Sequence, residues 1–113
     1  AVAFMDRESI LFRLGWSPPL ELWKYDLRTG ACTEHQLGDG VRGAEPVFAP
    51  ASPDAGEDEG WVISLSHDTA SDQSRLLIID AQDFSAPPVA TIHLPRRVPY
   101  GAHGSWVPDS VMQ

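Results

Sequence analysis

The sequence predicts an all-β fold, and three observations support this prediction. Short runs of β-branched, aromatic and other apolar residues follow one another, and clusters of Gly, Pro, Asp and Ser separate them. No segment keeps the 3.6-residue hydrophobic period of a helix over three turns. The ten prolines also disfavour helices, because proline lacks the backbone N–H that a helix interior needs. We therefore expect antiparallel strands joined by short turns.

Seven segments have the composition of strands. In chain order they are residues 9–16 (SILFRLGW), 20–26 (LELWKYD), 31–37 (ACTEHQL), 45–50 (EPVFAP), 61–67 (WVISLSH), 75–80 (RLLIID) and 89–94 (VATIHL). Turn sequences such as LRTGA and HDTASDQS separate them. The longest predicted loop, residues 51–60 (ASPDAGEDEG), is acidic, and we expect it to be solvated.

An internal repeat indicates the architecture. The segment 43–50 (GAEPVFAP) is similar to the segment 101–108 (GAHGSWVP), and Glu45 aligns with His103. Upstream of each segment, an apolar strand ends in an aspartate, Asp26 or Asp80, and a turn and an alternating strand follow. A repeat of roughly 40–60 residues that holds about four strands has the size of one propeller blade.

The repeat divides the chain into blades. Residues 45–94 are predicted to form one full blade, residues 9–37 to end the preceding blade, and residues 99–108 to supply the inner strand of the next. The whole chain, residues 1–113, would then be a partial β-propeller of about two blades. A propeller needs several blades, and the sequence begins AVAFMDRE without an initiator Met. We therefore expect a piece of a longer polypeptide.

The repeat also brings Glu45 and His103 together. Equivalent positions on successive blades face the same central axis, so the two side chains would be neighbours there. A histidine that binds a metal usually donates its second ring N–H to a carboxylate, a carbonyl or water. This favours His103 as a metal ligand and Glu45 as its hydrogen-bond partner. On the residues alone, an ordinary turn histidine between two glycines remains the alternative.

Composition disfavours several classes of protein. The chain has 16 Asp and Glu against 8 Lys and Arg, without the clustered cations that binding to nucleic acid requires. No stretch approaches the roughly 20 apolar residues of a membrane span. The single cysteine, Cys32, cannot form an internal disulfide, so we expect a reducing compartment and a cytoplasmic location. Ser64 and Ser66 lack the surroundings of a hydrolase nucleophile.

The remaining histidines and aromatic residues are given structural roles. His67, at a strand end, is interpreted as structural, and His35 and His93 are expected at the surface or half-buried. No metal-ligand spacing such as H-x-H links any of them. Phe48 and Trp61 are expected in the hydrophobic core.

Several motifs occur in a fixed order: GAEPVFAP, then EDEGWVISLSHD, then LLIIDAQDFSAPPVATIHLPRRVPYGAHGSWVP. This order resembles the C-terminal part of the carotenoid cleavage oxygenases. That family includes apocarotenoid-forming enzymes, stilbene-cleaving dioxygenases and the animal retinoid isomerase. The resemblance covers about residues 20–108, and its strongest element is the segment 76–106.

The resemblance implies a seven-bladed propeller with a non-haem Fe(II) on its axis, held by four histidines that glutamates orient. His103 matches the ligand in the family segment PYGFHG, and Glu45 matches a glutamate in the family motif EP-F. The other three histidine ligands have no match in this sequence. Ala102 stands where the family usually has Phe, which makes it a candidate for contact with substrate. Trp106, three residues after His103, is either a core residue or a second candidate for contact with substrate.

The activity that the resemblance implies is oxidative cleavage of a C=C bond in a carotenoid, apocarotenoid or stilbene with O₂, which gives carbonyl products. A chain with one ligand of four is expected not to bind iron tightly or to turn over substrate. Its open sheet edges are expected to promote self-association. The alternative function is a non-catalytic propeller segment that serves as an interaction module. Three further histidines on equivalent inner strands of the intact protein would distinguish the enzyme from this module.

Overall fold

The computed structural model describes five parts of the chain: residues 4–7, 10–15, 21–38, 40–98 and 106–109. These residues form β-strands and no helix, which confirms the all-β prediction. The strands are β1 (Phe4–Arg7), β2 (Ile10–Leu14), β3 (Leu22–Asp26), β4 (Ala31–His35), β5 (Val41–Arg42), β6 (Val47–Pro50), β7 (Gly60–Asp68), β8 (Gln73–Asp80) and β9 (Ala90–His93).

The strands form two antiparallel sheets. In the first sheet, β1, β2, β3 and β4 lie side by side in chain order. In the second, β7, β8 and β9 follow in order, and β5 and β6 both pair with the outer edge of β7. Each sheet is therefore an up-and-down meander of the kind that builds propeller blades. The first strand of one sheet, β1, lies beside the corresponding strand of the other, β6.

The seven predicted strands are all present, and the structure adds two that sequence reasoning missed. Strand β1 precedes the predicted segment 9–37, and the two-residue strand β5 precedes the segment 45–94. The pattern FMDR of β1 mixes apolar with charged residues and carries no strand signal by itself. In the predicted inner strand 99–108, residues 99–105 lie outside the described part of the chain.

The same turn ends the third strand of each sheet. A carboxylate oxygen of Asp26 accepts a hydrogen bond from the backbone N–H of Arg28 at 2.9 Å, and Asp80 accepts one from the N–H of Gln82 at 2.9 Å. An aspartate that bonds to the backbone two residues later mimics a backbone turn. The repeated aspartate that the sequence shows at these strand ends therefore has a repeated structural purpose.

The hydrophobic core lies between the two sheets. Phe12 of β2 stacks on Phe48 of β6 with ring centroids 5.7 Å apart, and it contacts Phe84 at 5.6 Å. Burying a side chain of this size stabilises a fold by about 1.5–3 kcal/mol. The core contains Ile10, Phe12, Leu22, Phe48, Val62, Leu77, Ile79, Ala81 and Phe84.

Phe48 is in the core as expected, but the expectation for Trp61 is wrong. Its neighbour Val62 is fully buried, whereas Trp61 is 40% exposed. Successive strand residues take opposite faces of a sheet, so Trp61 lies on the face that turns away from the core.

His35 is buried, which corrects the expectation of a surface or half-buried position. The segment that follows β8 covers the end of β4. The Nδ1 atom of His35 lies 2.7 Å from the carbonyl oxygen of Phe84. A carbonyl can only accept a hydrogen bond, so Nδ1 carries the proton in this contact. The ring also packs edge-on against Phe84 at 5.8 Å. His93 on β9 is exposed, as expected.

Lys24 joins the sheets from the edge of the core. Its ammonium group donates to the carbonyl oxygen of Ala81 at 2.7 Å and to Asp58 at 3.0 Å. We expected the acidic loop 51–60 to be solvated, but part of it is not. Asp58 and Glu57 are half-buried and form ion pairs with Lys24 and Arg28 of the first sheet.

Gly60 permits β6 and β7 to approach closely. A Cβ atom at Gly60 would run into the carbonyl oxygen of Ala49 and come within 2.9 Å of the Phe48 ring. We expect Gly60→Ala to lower the free energy of unfolding by about 1–3 kcal/mol, because an overpacked core forces neighbouring atoms to shift. Urea denaturation measures the change. Gly56→Ala is the control, since its Cβ would meet one atom at 4.0 Å; equal stability of the two variants would contradict the prediction.

Lys24→Met is expected to lower the free energy of unfolding by about 1–3 kcal/mol at neutral pH. The substitution leaves the buried carbonyl of Ala81 and the carboxylate of Asp58 without their shared donor. Arg28→Met is the control, because Arg28 is exposed and such surface ion pairs contribute about 0–1 kcal/mol. Thermal or urea unfolding measures the free energy of unfolding of both variants, and an equal loss in both would contradict the prediction.

The effect of Lys24→Met should also depend on pH. Burial raises the pKa of Asp58, but the hydrogen bond and charge of Lys24 outweigh burial and leave this pKa below its ordinary value of 3.8. A group with a lowered pKa contributes stability above its unfolded pKa and loses it as pH falls through the folded pKa. The gap between the wild type and Lys24→Met should therefore narrow in acid. A gap that stays constant down to acidic pH would show that Asp58 takes no part.

Candidate functional site

The segment 43–46, between β5 and β6, is a β-bulge that contains Glu45. Arg42 pairs with His67 of β7, and Val47 pairs with Ile63. Four residues of this segment therefore stand opposite three residues of β7, so the segment carries one extra residue, as a bulged strand does. One extra residue reverses the alternation of side chains between the two faces of a sheet. We refer to residues 43–46 as the Glu45 bulge.

The sequence of the Glu45 bulge, GAEP, explains why the regular pairing with β7 is interrupted here. Pro46 has no backbone N–H, so it cannot donate a ladder hydrogen bond and is tolerated at a bulge. A proline also restricts the preceding residue, here Glu45, to extended backbone conformations. Pro46 is fully buried and Glu45 is half-buried. The bulge is therefore a packed part of the sheet.

Ser64 of β7 closes the gap that the bulge opens. Its hydroxyl donates a hydrogen bond to the carbonyl oxygen of Ala44 at 3.0 Å and accepts one from the Ala44 N–H at 3.3 Å. The Ser64 side chain is 1% exposed. A hydroxyl carries one donor and two acceptor positions, so it can serve both backbone groups at once.

Glu45 lies where the two sheets come together. It directly precedes the proline that leads into β6, and β6 lies beside β1 of the first sheet. His103, the residue that the repeat places next to Glu45, lies outside the described part of the chain, and so does Ala102. The pairing of Glu45 with His103 therefore stays a prediction. Trp106 is described and is 48% exposed.

The described residues do not form a metal site by themselves. Among residues 4–7, 10–15, 21–38, 40–98 and 106–109, no group of three or more His, Cys, Asp or Glu side chains is arranged to hold a metal ion. Glu45 fits a different role near a metal. A half-buried carboxylate on a constrained strand can accept the ring N–H of a histidine ligand and hold that ring in one orientation.

His67 has the contacts of a structural residue. It is 7% exposed, and its Nε2 atom lies 3.1 Å from a carboxylate oxygen of Asp72 in the β7–β8 turn. Asp72 has a φ of 56°, a left-handed conformation that aspartate tolerates better than most residues. Arg97 approaches the same carboxylate at 3.6 Å. The contact between His67 and Asp72 therefore stabilises a strained turn, which agrees with the interpretation of His67 as a structural residue.

Sequence reasoning missed the contribution of Ser64. The residues around Ser64 in the sequence exclude only a hydrolase nucleophile. The available signal is that Ser64 and Ser66 alternate with apolar residues along β7, on the same face as the buried Val62. A serine at a core-facing strand position must find a hydrogen-bond partner, and the neighbouring GAEP segment offers one.

Two meander sheets packed face to face, with β1 of one sheet beside β6 of the other, define part of a β-propeller protein. The sequence model of the family described as "Retinal pigment epithelial membrane protein" matches residues 5–108. The chain belongs to this family, which confirms the resemblance to the carotenoid cleavage oxygenases. The described part of the chain contains no helix with the length and apolar character that crossing a membrane requires.

Known proteins of this family match the chain in sequence and in structure. The apocarotenoid-15,15'-oxygenase of Synechocystis is 37% identical over 92 residues, which are 81% of this chain and 19% of that protein. The lignostilbene dioxygenase of Pseudomonas brassicacearum has a TM-score of 0.83 at 29% identity, covering 91% of this chain and 25% of that one. Cobalt-substituted Synechocystis apocarotenoid oxygenase has a TM-score of 0.80 at 32% identity, covering 88% and 22%.

These relatives confirm the prediction of part of a seven-bladed β-propeller and show an oxygenase family. Its members include enzymes named as an apocarotenoid oxygenase, a carotenoid cleavage dioxygenase and a lignostilbene dioxygenase. The chain spans between 19% and 25% of the lengths of the relatives described above.

Proposed function

We propose that this chain is part of a longer non-haem Fe(II) oxygenase. The intact enzyme would cleave a C=C bond of a carotenoid, apocarotenoid or stilbene with O₂ and release two carbonyl products. The observation that carries the proposal is family membership over residues 5–108, together with the names of the matched relatives. Because the chain covers about a fifth of those relatives, most of the substrate-binding surface would come from residues outside it.

His103 is proposed as one of four histidine ligands of the iron. Its segment PYGAHG matches the family motif, and the cobalt-substituted form of the Synechocystis relative supports a metal in this family of folds. When bound, the iron supplies the redox chemistry by which O₂ reacts with the substrate, and the protein supplies position and surroundings. The 113-residue chain by itself would contribute a single ligand and would be inactive.

Glu45 is proposed to orient His103. Its carboxylate would accept the N–H of one ring nitrogen and so keep the other nitrogen unprotonated for the metal. The position of Glu45 supports this role, since a half-buried carboxylate in a rigid bulge costs little further ordering when it accepts a hydrogen bond. The residues of this chain would thus fix the tautomer and the direction of one ligand.

Ala102 and Trp106 are proposed to face the apolar substrate. Trp106 is half exposed among the described residues, and a small Ala102 would leave space where relatives carry a ring. The edge strands β4 and β9 expose several residues, which supports self-association when the chain is produced alone. The cytoplasmic location that the lone Cys32 suggests stays a prediction.

His103→Ala is expected to remove iron from the intact protein. Loss of one imidazole leaves three ligands, so iron should be lost during dialysis against a chelator that the wild type resists. Elemental analysis of the dialysed protein measures the iron content. His93→Ala is the control, because His93 is exposed on β9. Unchanged iron occupancy in His103→Ala would defeat the ligand assignment.

Glu45→Gln is expected to weaken iron binding by roughly 10–100-fold, the usual effect of changing a group that orients a metal ligand. Glutamine keeps the size of the side chain but removes the charge that favours the ring N–H. Competition with a chelator of known affinity gives the dissociation constant. Glu34→Gln, a half-buried glutamate on β4, is the control and should bind iron as the wild type does. An equal effect of both substitutions would indicate general charge loss.

A further inference from the structure

The backbone of Ala44 depends on one side chain. The Glu45 bulge takes Ala44 out of the regular pairing of β5 and β6 with β7. Both polar groups of Ala44 bond to the Ser64 hydroxyl, at 3.0 Å for the carbonyl and 3.3 Å for the N–H. A buried backbone group without a partner is strongly unfavourable, so the two bonds hold this part of the chain in place.

Glu45 is thereby held from both sides. Ala44 is fixed by Ser64, and Pro46, with its φ locked by the ring, is fully buried. Rotation of the peptide that joins Ala44 to Glu45 would break the hydrogen bond of the Ala44 carbonyl. The direction in which Glu45 leaves the strand is therefore coupled to a hydroxyl on the neighbouring strand.

We infer that Ser64 is a positioning residue that aims the Glu45 carboxylate and, through it, sets the affinity of the metal site. The inference rests on the proposed function, in which Glu45 orients the ligand His103. Ser64 itself does not touch the metal or the substrate in this account. It acts by fixing the bulge, because groups that support a metal site must be held within about 0.5 Å of the working geometry.

Ser66 provides a matched comparison. It lies two residues further along β7, is also 1% exposed, and donates its hydroxyl to the carbonyl oxygen of Arg75 at 3.3 Å. That bond lies within the β7–β8 pair and not at the bulge. Loss of either hydroxyl removes a hydrogen bond made by a buried serine, so both substitutions should lower stability, and only Ser64 should affect the metal.

The test measures Fe(II) dissociation constants of the intact protein by chelator competition. We expect Ser64→Ala to weaken binding about tenfold, the lower end of the effect of groups that orient metal ligands, because Ser64 acts one step further away. Ser66→Ala should bind as the wild type does, and Ser64→Thr, which keeps the hydroxyl, should restore most of the affinity. The absorption spectrum of the Co(II)-loaded protein should change in Ser64→Ala and not in Ser66→Ala, since it reports ligand geometry.

A double-mutant cycle separates positioning from a general loss of structure. If Ser64 acts through Glu45, then Ser64→Ala should cause no further weakening in a Glu45→Gln background. Additive losses, or equal losses in Ser64→Ala and Ser66→Ala, would overturn the inference. If Ser64→Ala does not fold, Ser64→Cys replaces it with the same expectations, because a thiol bonds more weakly than a hydroxyl.

The outcomes also separate this inference from the proposed function. An unchanged dissociation constant in Glu45→Gln would refute the role of Glu45 and, with it, the role of Ser64. A clear effect of Glu45→Gln with none of Ser64→Ala would refute the role of Ser64 alone.

Discussion

Packing of three phenylalanine rings across the two sheets is the interaction on which the other features depend. Phe12 lies between Phe48 and Phe84, with centroids 5.7 and 5.6 Å away, and these rings come from separate parts of the chain. The hydrophobic attraction between the rings has no preferred direction, but their relative orientation is specific, because aromatic rings prefer offset or tilted arrangements. Phe48 belongs to β6, so the same packing fixes the strand that follows the Glu45 bulge.

The Glu45 bulge is a small departure from regular pairing at the residue proposed to orient a metal ligand. A regular strand would place each side chain on one face or the other by strict alternation. A single inserted residue frees the chain from that alternation, at the expense of backbone hydrogen bonds that a ladder would have supplied. In this protein a proline and a serine compensate: Pro46 has no N–H to satisfy, and Ser64 bonds to the backbone of Ala44.

Much of the fold could be predicted from the sequence because its signals are local. Runs of apolar residues locate β7 and β8, and Asp26 and Asp80 mark the ends of equivalent strands through the turns they form. Partners that come from a distant part of the chain could not be predicted in the same way. His35 is buried because Phe84 covers it, and the short strand β5 exists because β7 pairs with it.

The candidate site was predicted in part for the same reason. The motif EP-F and the repeat pointed to Glu45, but the offset of one residue between the two halves of its strand exists only in the pairing with β7. The dependence of Ala44 on Ser64 follows from that offset. The resemblance to the family identified Glu45, and the structure shows that Ser64 holds the backbone of the preceding residue, Ala44.

The loop between β6 and β7 connects the two sheets through ion pairs, even though its acidic composition is typical of a solvent-exposed loop. Asp58 and Glu57 reach across to Lys24 and Arg28, so the length of this loop is matched to the distance that it spans. The turn between β7 and β8 differs, since Thr69 bonds to Gly40, which directly precedes β5, and Ala70 bonds to Asp68 within the turn itself. Insertions and deletions should therefore accumulate more readily at the second turn than at the first as sequences of this fold diverge.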